Sequence, residues 1–258
     1  MKLSIITVNL NNRIGLQKTI DSVICQTFRD FEWIVIDGGS TDGSKELIEQ
    51  YADHFAYWVS EPDKGIYNAM NKGIKVAKGE YLLFLNSGDW LYKDNVLEKV
   101  FSQNPTEDFV YCDDGGSTGV IANGGSPSII DFRLLYTYTI CHQTIFHKRS
   151  LFDAGLFDEK YKIVADWKFL FQHIIKNGAT YRKIKILLCV LQEGSSYDTS
   201  TTEIERQAVI HEFYSEKEIE MIEDYIKLSS PDVQESLNII NNHPFIKKIL
   251  RRTTPQNI

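Results

Sequence analysis

Gly79-Glu80-Tyr81-Leu82-Leu83-Phe84-Leu85-Asn86-Ser87-Gly88-Asp89-Trp90 carries an apolar run straight into a polar turn that closes on a carboxylate. An open α/β sheet binds its ligands there, just outside the carboxyl ends of its strands. Two earlier stretches repeat the pattern. Ser4-Ile5-Ile6-Thr7-Val8-Asn9 is one, and Phe31-Glu32-Trp33-Ile34-Val35-Ile36-Asp37-Gly38-Gly39-Ser40-Thr41-Asp42-Gly43-Ser44 is the other. Three such ends side by side make a polar crevice.

The segments between them read as crossover helices. After a strand from Lys2 to Val8, residues Leu16, Ile20, Val23 and Ile24 fall at helical spacing, with Asn11 or Asn12 placed to cap. A strand from Phe31 to Ile36 leads to a helix capped near Ser40 to Asp42, with Leu47, Ile48, Tyr51 and Phe55 on its buried side. A short strand, Tyr57 to Ser60, precedes a helix from Tyr67 to Lys78 presenting Met70, Ile74 and Ala77. Gly79 is the expected C-terminal stop before the strand Glu80 to Leu85. The alternation predicts an α/β fold with a doubly wound, mainly parallel sheet.

Further on, Asn95 to Gln103 reads as helix and Phe109 to Cys112 as strand. Asp113 to Ser128 is rich in Gly, Ser and Asp, and reads as a mobile loop, either a lid on the crevice or a surface excursion. A strand from Gln143 to His147, a helix from Asp166 to Lys176 and a strand or hairpin from Thr180 to Leu191 follow. Ser200 with Glu203 and Ser215 with Glu218 fit capping boxes for helices Thr201 to Phe213 and Glu216 to Leu228. The expected organisation is a domain over 1–198 and a C-terminal helical region over 199–258.

Composition narrows the function. A formal net charge of -7 over 258 residues argues against a general nucleic-acid binder, because phosphate contacts need a positive field. Cys25, Cys112, Cys141 and Cys189 stand far apart without a C-x-x-C pair, so neither a zinc site nor a disulfide framework is expected, and a reducing cytoplasm fits. The first ten residues are too polar for a signal peptide, and no run of about twenty apolar residues occurs. Pro244 to Arg252 places four basic residues among apolar ones, a pattern that suits either a peripheral helix on an anionic membrane or a solvated tail.

Together with Glu61-Pro62-Asp63-Lys64-Gly65-Ile66-Tyr67-Asn68-Ala69-Met70-Asn71-Lys72-Gly73-Ile74, the three strand-end segments resemble, in order, the family 2 glycosyltransferases of the GT-A fold. The resemblance spans roughly the first two-thirds of the chain. It implies an inverting transferase that moves a sugar from a nucleotide-diphosphate sugar, UDP-linked above others, to a glycan or lipid-linked hydroxyl. Relatives of this kind build bacterial surface polysaccharide at the cytoplasmic membrane face. The alternatives are a non-catalytic nucleotide-sugar-binding protein and a nucleotidyltransferase. The latter calls for a Gly-rich basic loop after the first strand, which Asn9-Leu10-Asn11-Asn12-Arg13 does not offer.

Residue by residue, the resemblance puts Asp37 on the nucleoside, where a carboxylate suits the uracil N3–H or ribose hydroxyls, with Thr7 and Asn9 at the neighbouring strand end. Asp63 and Lys64 are expected to border the base. Asn71, Asn86, Ser87 and His142 are expected on the nucleotide sugar, His142 as a donor to a phosphate oxygen. The family's metal-binding segment commonly reads Asp-Ser-Asp-Asp; here it is Asn86-Ser87-Gly88-Asp89, so Asp89 is the one anionic ligand left for Mg²⁺ or Mn²⁺. Asp166, in Ala165-Asp166-Trp167, matches the catalytic base, the alternative being that it only caps the next helix.

Overall fold

The structure, a computed structural model, describes residues 1–121, 125–192 and 199–228. The described residues belong to two compact units, Met1–Glu205 and the chain from Arg206 onward. In the first unit, eight strands form one sheet: β1 (Leu3–Asn9), β2 (Phe31–Asp37), β3 (Tyr57–Ser60), β4 (Tyr81–Phe84), β5 (Trp90–Leu91), β6 (Phe109–Asp114), β7 (Ile145–Lys148) and β8 (Tyr181–Val190). Their order is β3-β2-β1-β4-β7-β6-β8-β5. The first four are parallel, β7 runs antiparallel between β4 and β6, β6 and β8 are parallel again, and β5 is antiparallel to β8. The register aligns Asn9 with Asp37 and Asp37 with Ser60, so the polar strand ends meet in one row.

All seven residues of β1 and all four of β4 are buried, as expected of strands covered on both faces. One face packs on α1 (Arg13–Ile24), α2 (Ser44–Gln50) and α4 (Val96–Phe101), through a core that includes Leu16, Ile20, Leu47, Leu97, Ile5 and Leu83. Asn12 is the cap of α1, its side chain accepting from the Gly15 N–H. On α2 the cap position is Gly43, while Asp42 accepts from the Ser44 N–H and hydroxyl. The other face carries α3 (Ile66–Val76), where Gly73 lies against Ile6.

Gly79 serves a different purpose from the one expected. Helix α3 ends at Val76, with Ala77 as cap, and Gly79 has no left-handed φ. A Cβ on it would lie 2.4 Å from the Ser4 nitrogen and 2.5 Å from the Leu3 carbonyl carbon. Backbone cannot yield as a flexible side chain does, so Gly79→Ala is expected to cost roughly 1–3 kcal/mol, read as a lower urea midpoint at unchanged slope.

Behind β4, Phe84, Phe109, Phe152, Phe157 and Phe169 surround His147 of β7. Helix α5 (Phe132–Thr137), capped by Asp131, and the two-residue β5 were not expected from sequence. The segment after β6 is tied down at both described ends. Asp113 pairs with Lys183 at 2.9 Å, both side chains under 10% exposed, and accepts from the Ser126 N–H, while Lys183 Nζ also donates to the Ser126 carbonyl. Helix α6 (Ala165–Phe171) continues as one π-helical turn, Gln172–Lys176. Helices α7 (Thr199–Phe213) and α8 (Glu216–Leu228) complete the described chain, and Ser215 donates from both its N–H and its hydroxyl to Glu218, the expected capping box. No helix among the described residues is long and apolar enough to cross a membrane. The basic segment 244–252 lies outside the described residues, as do 194–197.

Candidate active site

Asp37 ends β2 fully buried, and its carboxylate gathers five donors. Asn9 Nδ2 and the Ser40 hydroxyl reach Oδ1 at 2.7 and 2.5 Å; the Gly39 and Ser40 N–H groups and the Ser60 hydroxyl reach Oδ2 at 3.2, 2.9 and 2.6 Å. Burial alone would raise its pKa, but these donors outweigh it and hold the carboxyl below the ordinary carboxylate range. Asp37 thus fastens β1, β2 and β3 into one turn surface. Thr7 and Asn9 belong to the same fabric. The Thr7 hydroxyl oxygen accepts from Trp33 Nε1 at 3.0 Å, and Asn9 Nδ2 donates to Asp37 and Ser40, leaving Oδ1 buried without a donor.

The next segment also divides into surface and scaffold. Asp63 accepts from the Gly65 N–H, and its other oxygen lies against Gly38, 2.5 Å from where a Cβ would stand. Lys64 is exposed. Asn71, expected on the nucleotide sugar, is 2% exposed, donates to the Phe157 carbonyl and Glu159, and accepts from the Phe157 N–H. Every polar atom of its amide is used to clamp 157–159 onto α3. Glu159, a residue the sequence reading passed over, also takes Asn68 at 2.8 Å.

The turn Asn86-Ser87-Gly88-Asp89 is held from beneath by α1. Thr19 Oγ1 accepts from the Gly88 N–H and donates to the Asp89 carbonyl, and Asn12 Nδ2 donates to the Ser87 carbonyl and to Gln192 Oε1. Gly88 has φ of +100°, and a Cβ there would meet Gln192 Oε1 at 1.6 Å. Asp89 is 6% exposed; Gln143 Nε2 and the Gln192 N–H each give one oxygen a hydrogen bond at 2.9 Å. Burial is the larger influence and raises its pKa.

A hard-cation site can be tested on this geometry. Each Asp89 oxygen keeps a second lone pair, and the amide donors that orient the carboxylate are what an outer shell supplies. Nearby Asn86 Oδ1 and Gln143 Oε1 are buried oxygens without a donor. Among the described residues no three His, Cys, Asp or Glu side chains form a cage. The residues therefore fit a Mg²⁺ or Mn²⁺ ion held by one carboxylate, the rest of its coordination coming from diphosphate and water.

Asp166 is the second position of α6, not its cap, which is Val164. Its Oδ1 accepts from the Tyr67 hydroxyl at 2.7 Å and from the Trp167 N–H at 2.8 Å, and its Oδ2 faces His142 Nδ1 at 2.7 Å. Burial pushes its pKa up, but the hydrogen bond from His142, with those from Tyr67 and the Trp167 N–H, prevails and holds it below the ordinary range. The N–H groups of Lys162, Ile163 and Val164, leading into α6, are all received by Glu205. Asp166, Asp114 and Asp89 all bear on the Cys141 thiol, which burial foremost and these charges after it push up to about 12. His142 stands among the carboxylates, its Nε2 3.0 Å from Asn86 Nδ2.

Strand-end turns on a parallel half-sheet that then turns antiparallel, with a carboxylate brought in on a later helix, are the arrangement of a GT-A glycosyltransferase. Solved structures agree. Staphylococcus aureus TarS 1–349 in complex with UDP superposes with a TM-score of 0.65 at 19% identity, over 98% of this chain and 76% of that one. The mannosyltransferase PcManGT from Pyrobaculum calidifontis, in complex with GDP-Man and Mn²⁺, gives 0.61 at 16% identity over 97% and 79%. In sequence, the PGL/p-HBAD biosynthesis glycosyltransferase of Mycobacterium bovis is 36% identical over 173 residues, 64% of this chain and 67% of the relative. A family model described as "Glycosyl transferase family 2" matches residues 4–117. The chain belongs to that family.

Proposed function

We propose that the chain transfers a sugar from a UDP-linked donor to a hydroxyl of a glycan or lipid-linked acceptor, by single displacement with inversion. The observation that carries this reading is Asp166, an ionised carboxylate whose Oδ1 is filled by Tyr67 and Trp167 while Oδ2 retains a lone pair. The acceptor oxygen attacks the anomeric carbon, its proton passes to Asp166 Oδ2, and the bond to the diphosphate breaks with the electron pair leaving on UDP. Asp89 would hold a divalent cation, which would supply positive charge toward the departing diphosphate. Asp63 and the exposed Lys64 are the side chains of their segment placed to border the base. Ser87, in the turn before Asp89, takes the sugar or phosphate side.

The UDP and UDP-GlcNAc complexes of TarS support the donor class, and the mycobacterial relatives, named for PGL/p-HBAD biosynthesis, support an acceptor built in a biosynthetic pathway. Four free cysteines suit a cytoplasmic setting, with the acceptor reached at the inner membrane face. A nucleotide-sugar-binding and catalytic domain over 1–198 and a C-terminal helical region over 199–258 complete the proposal.

A panel of nucleotide sugars incubated with the protein and Mn²⁺, read as nucleotide release, tests it. UDP release from at least one UDP-sugar is expected; release from GDP-sugars alone would overturn the donor assignment, and tight binding without turnover would favour the binding-only alternative. Calorimetric titration with UDP should show tighter binding with Mn²⁺ or Mg²⁺ than with chelator, a dependence that Asp89→Ala abolishes. Identical titrations with metal and with chelator would remove the ion.

A further inference from the structure

His142 was expected on the donor phosphates, but its ring is held at both nitrogens by protein. Nδ1 lies 2.7 Å from Asp166 Oδ2, and Nε2 lies 3.0 Å from Asn86 Nδ2, with the ring 9% exposed. A carboxylate oxygen only accepts, so the Nδ1 proton points to Asp166. An amide nitrogen only donates, so Nε2 must present its lone pair to Asn86. The arrangement fits one tautomer, with the Nδ1 proton toward Asp166 and the Asn86 Nδ2 against a bare Nε2.

We propose that His142 is a positioning residue for the base: it occupies one lone pair of Asp166 Oδ2 so that the other faces the acceptor hydroxyl, while Asn86 holds the far ring nitrogen and ties the base to the donor-side strand end. This rests on the reading of Asp166 as the base. Three donors, Tyr67, Trp167 N–H and His142, leave one outward lone pair on the carboxylate, so proton uptake has one direction. Tyr67 adds a second provision. Its hydroxyl lies 2.7 Å from Asp166 Oδ1 and 2.5 Å from the Ile163 carbonyl but carries a single proton. Once Asp166 has taken a proton, that hydroxyl can turn its own to Ile163.

The unusual Asn86 thereby gains a reason. An Asp at 86, the commoner residue at this place in the resemblance, would accept from Nε2 and draw a second proton onto the ring. The resulting imidazolium would stabilise the Asp166 carboxylate and weaken it as a base. The other titratable groups bearing on the pair are Tyr67, Cys141, Asp89 and His147, with Asp114 beyond Cys141.

The test uses the full chain with a donor and acceptor that the native protein turns over. His142→Phe is expected to lower kcat roughly tenfold or more at unchanged UDP affinity and donor KM, and to move the acidic limb of the pH profile upward, because a buried carboxylate loses a donor. Asn86→Asp is expected to lower kcat while moving that limb the opposite way, and His142→Gln, which keeps an N–H for Oδ2, to recover part of the rate. A ¹⁵N spectrum, with the His142 ring assigned by its loss in His142→Gln, is expected to show the proton on Nδ1, whatever the activity. Unchanged kcat with a raised donor KM in His142→Phe, or a proton found on Nε2, would overturn the proposal. Turnover retained in Asp166→Asn would instead sink the base itself, so the two failures are distinguishable.

Discussion

Asp166→Asn is expected to lose roughly a hundredfold or more in transfer rate while binding UDP as the native protein does, because a general base acts in the transition state and adds little to holding the donor. The surroundings can absorb the change. The new amide oxygen still accepts from Tyr67 and the Trp167 N–H, and its NH₂ faces His142 Nδ1, which accepts once the ring takes its other tautomer. Nε2 then donates to Asn86, whose Oδ1 has no donor in the native structure, by a turn of that amide. Melting temperature should therefore fall by only a few degrees. Since its surroundings hold the Asp166 carboxyl below the usual range, the group stays ionised at neutral pH, and native activity should not need deprotonation of this residue there. Single-turnover transfer with native speed in Asp166→Asn would place the base elsewhere.

The second large effect is on stability in mild acid. His147 is 1% exposed among phenylalanine rings, and burial foremost lowers its pKa from 6.5 to about 3. Above pH 6.5 the ring is neutral in both folded and unfolded chains, and the residue adds no pH dependence. Below it the unfolded chain takes up a proton that the folded one refuses, so stability falls as pH drops from about 6.5 toward 3. Between pH 7.5 and 4.5 this amounts to roughly 2–3 kcal/mol. His147→Phe is expected to be somewhat less stable than native at pH 7.5, having lost the contact of Nδ1 with the Ile145 carbonyl, and to gain on native by that amount at pH 4.5. Urea unfolding of both proteins across this range gives the comparison; parallel curves would show that His147 is not the acid-sensitive group. The lowered carboxyls of Asp37 and Asp166 lose their contribution at lower pH and cancel in the difference.

The strands that build the site were legible because burial on both faces leaves a plain signature, an apolar run ended by Asn, Asp, Gly and Ser. Lys2 to Val8, Phe31 to Ile36 and Glu80 to Leu85 each fall within a residue of β1, β2 and β4. Which strand-end polar groups face outward was not legible. Asp37 and Asn71 have the residue types of ligand contacts, but the partners that complete their hydrogen bonding include Asn9 and Ser60, 28 and 23 residues from Asp37, and Phe157 and Glu159, 86 and 88 residues from Asn71. No local spacing records such pairings. The same holds for Glu205, whose carboxylate serves a helix start some forty residues earlier and whose own helix reads as ordinary charged surface. Helix α5 had a usable signal in Asp131, which caps Leu134, but six residues are too few to display a period.

Gly88 changes what the shortened acidic turn means. Restoring a carboxylate at 88 would put a side chain on a backbone with φ of +100° and would drive the end of the Gln192 side chain away from the Asn12 amide. Position 88 and position 192 are one unit of shape. While Gln192 stays where it is, a carboxylate at 88 comes with a strained backbone and a displaced amide, and the cost falls on the turn that carries Asp89.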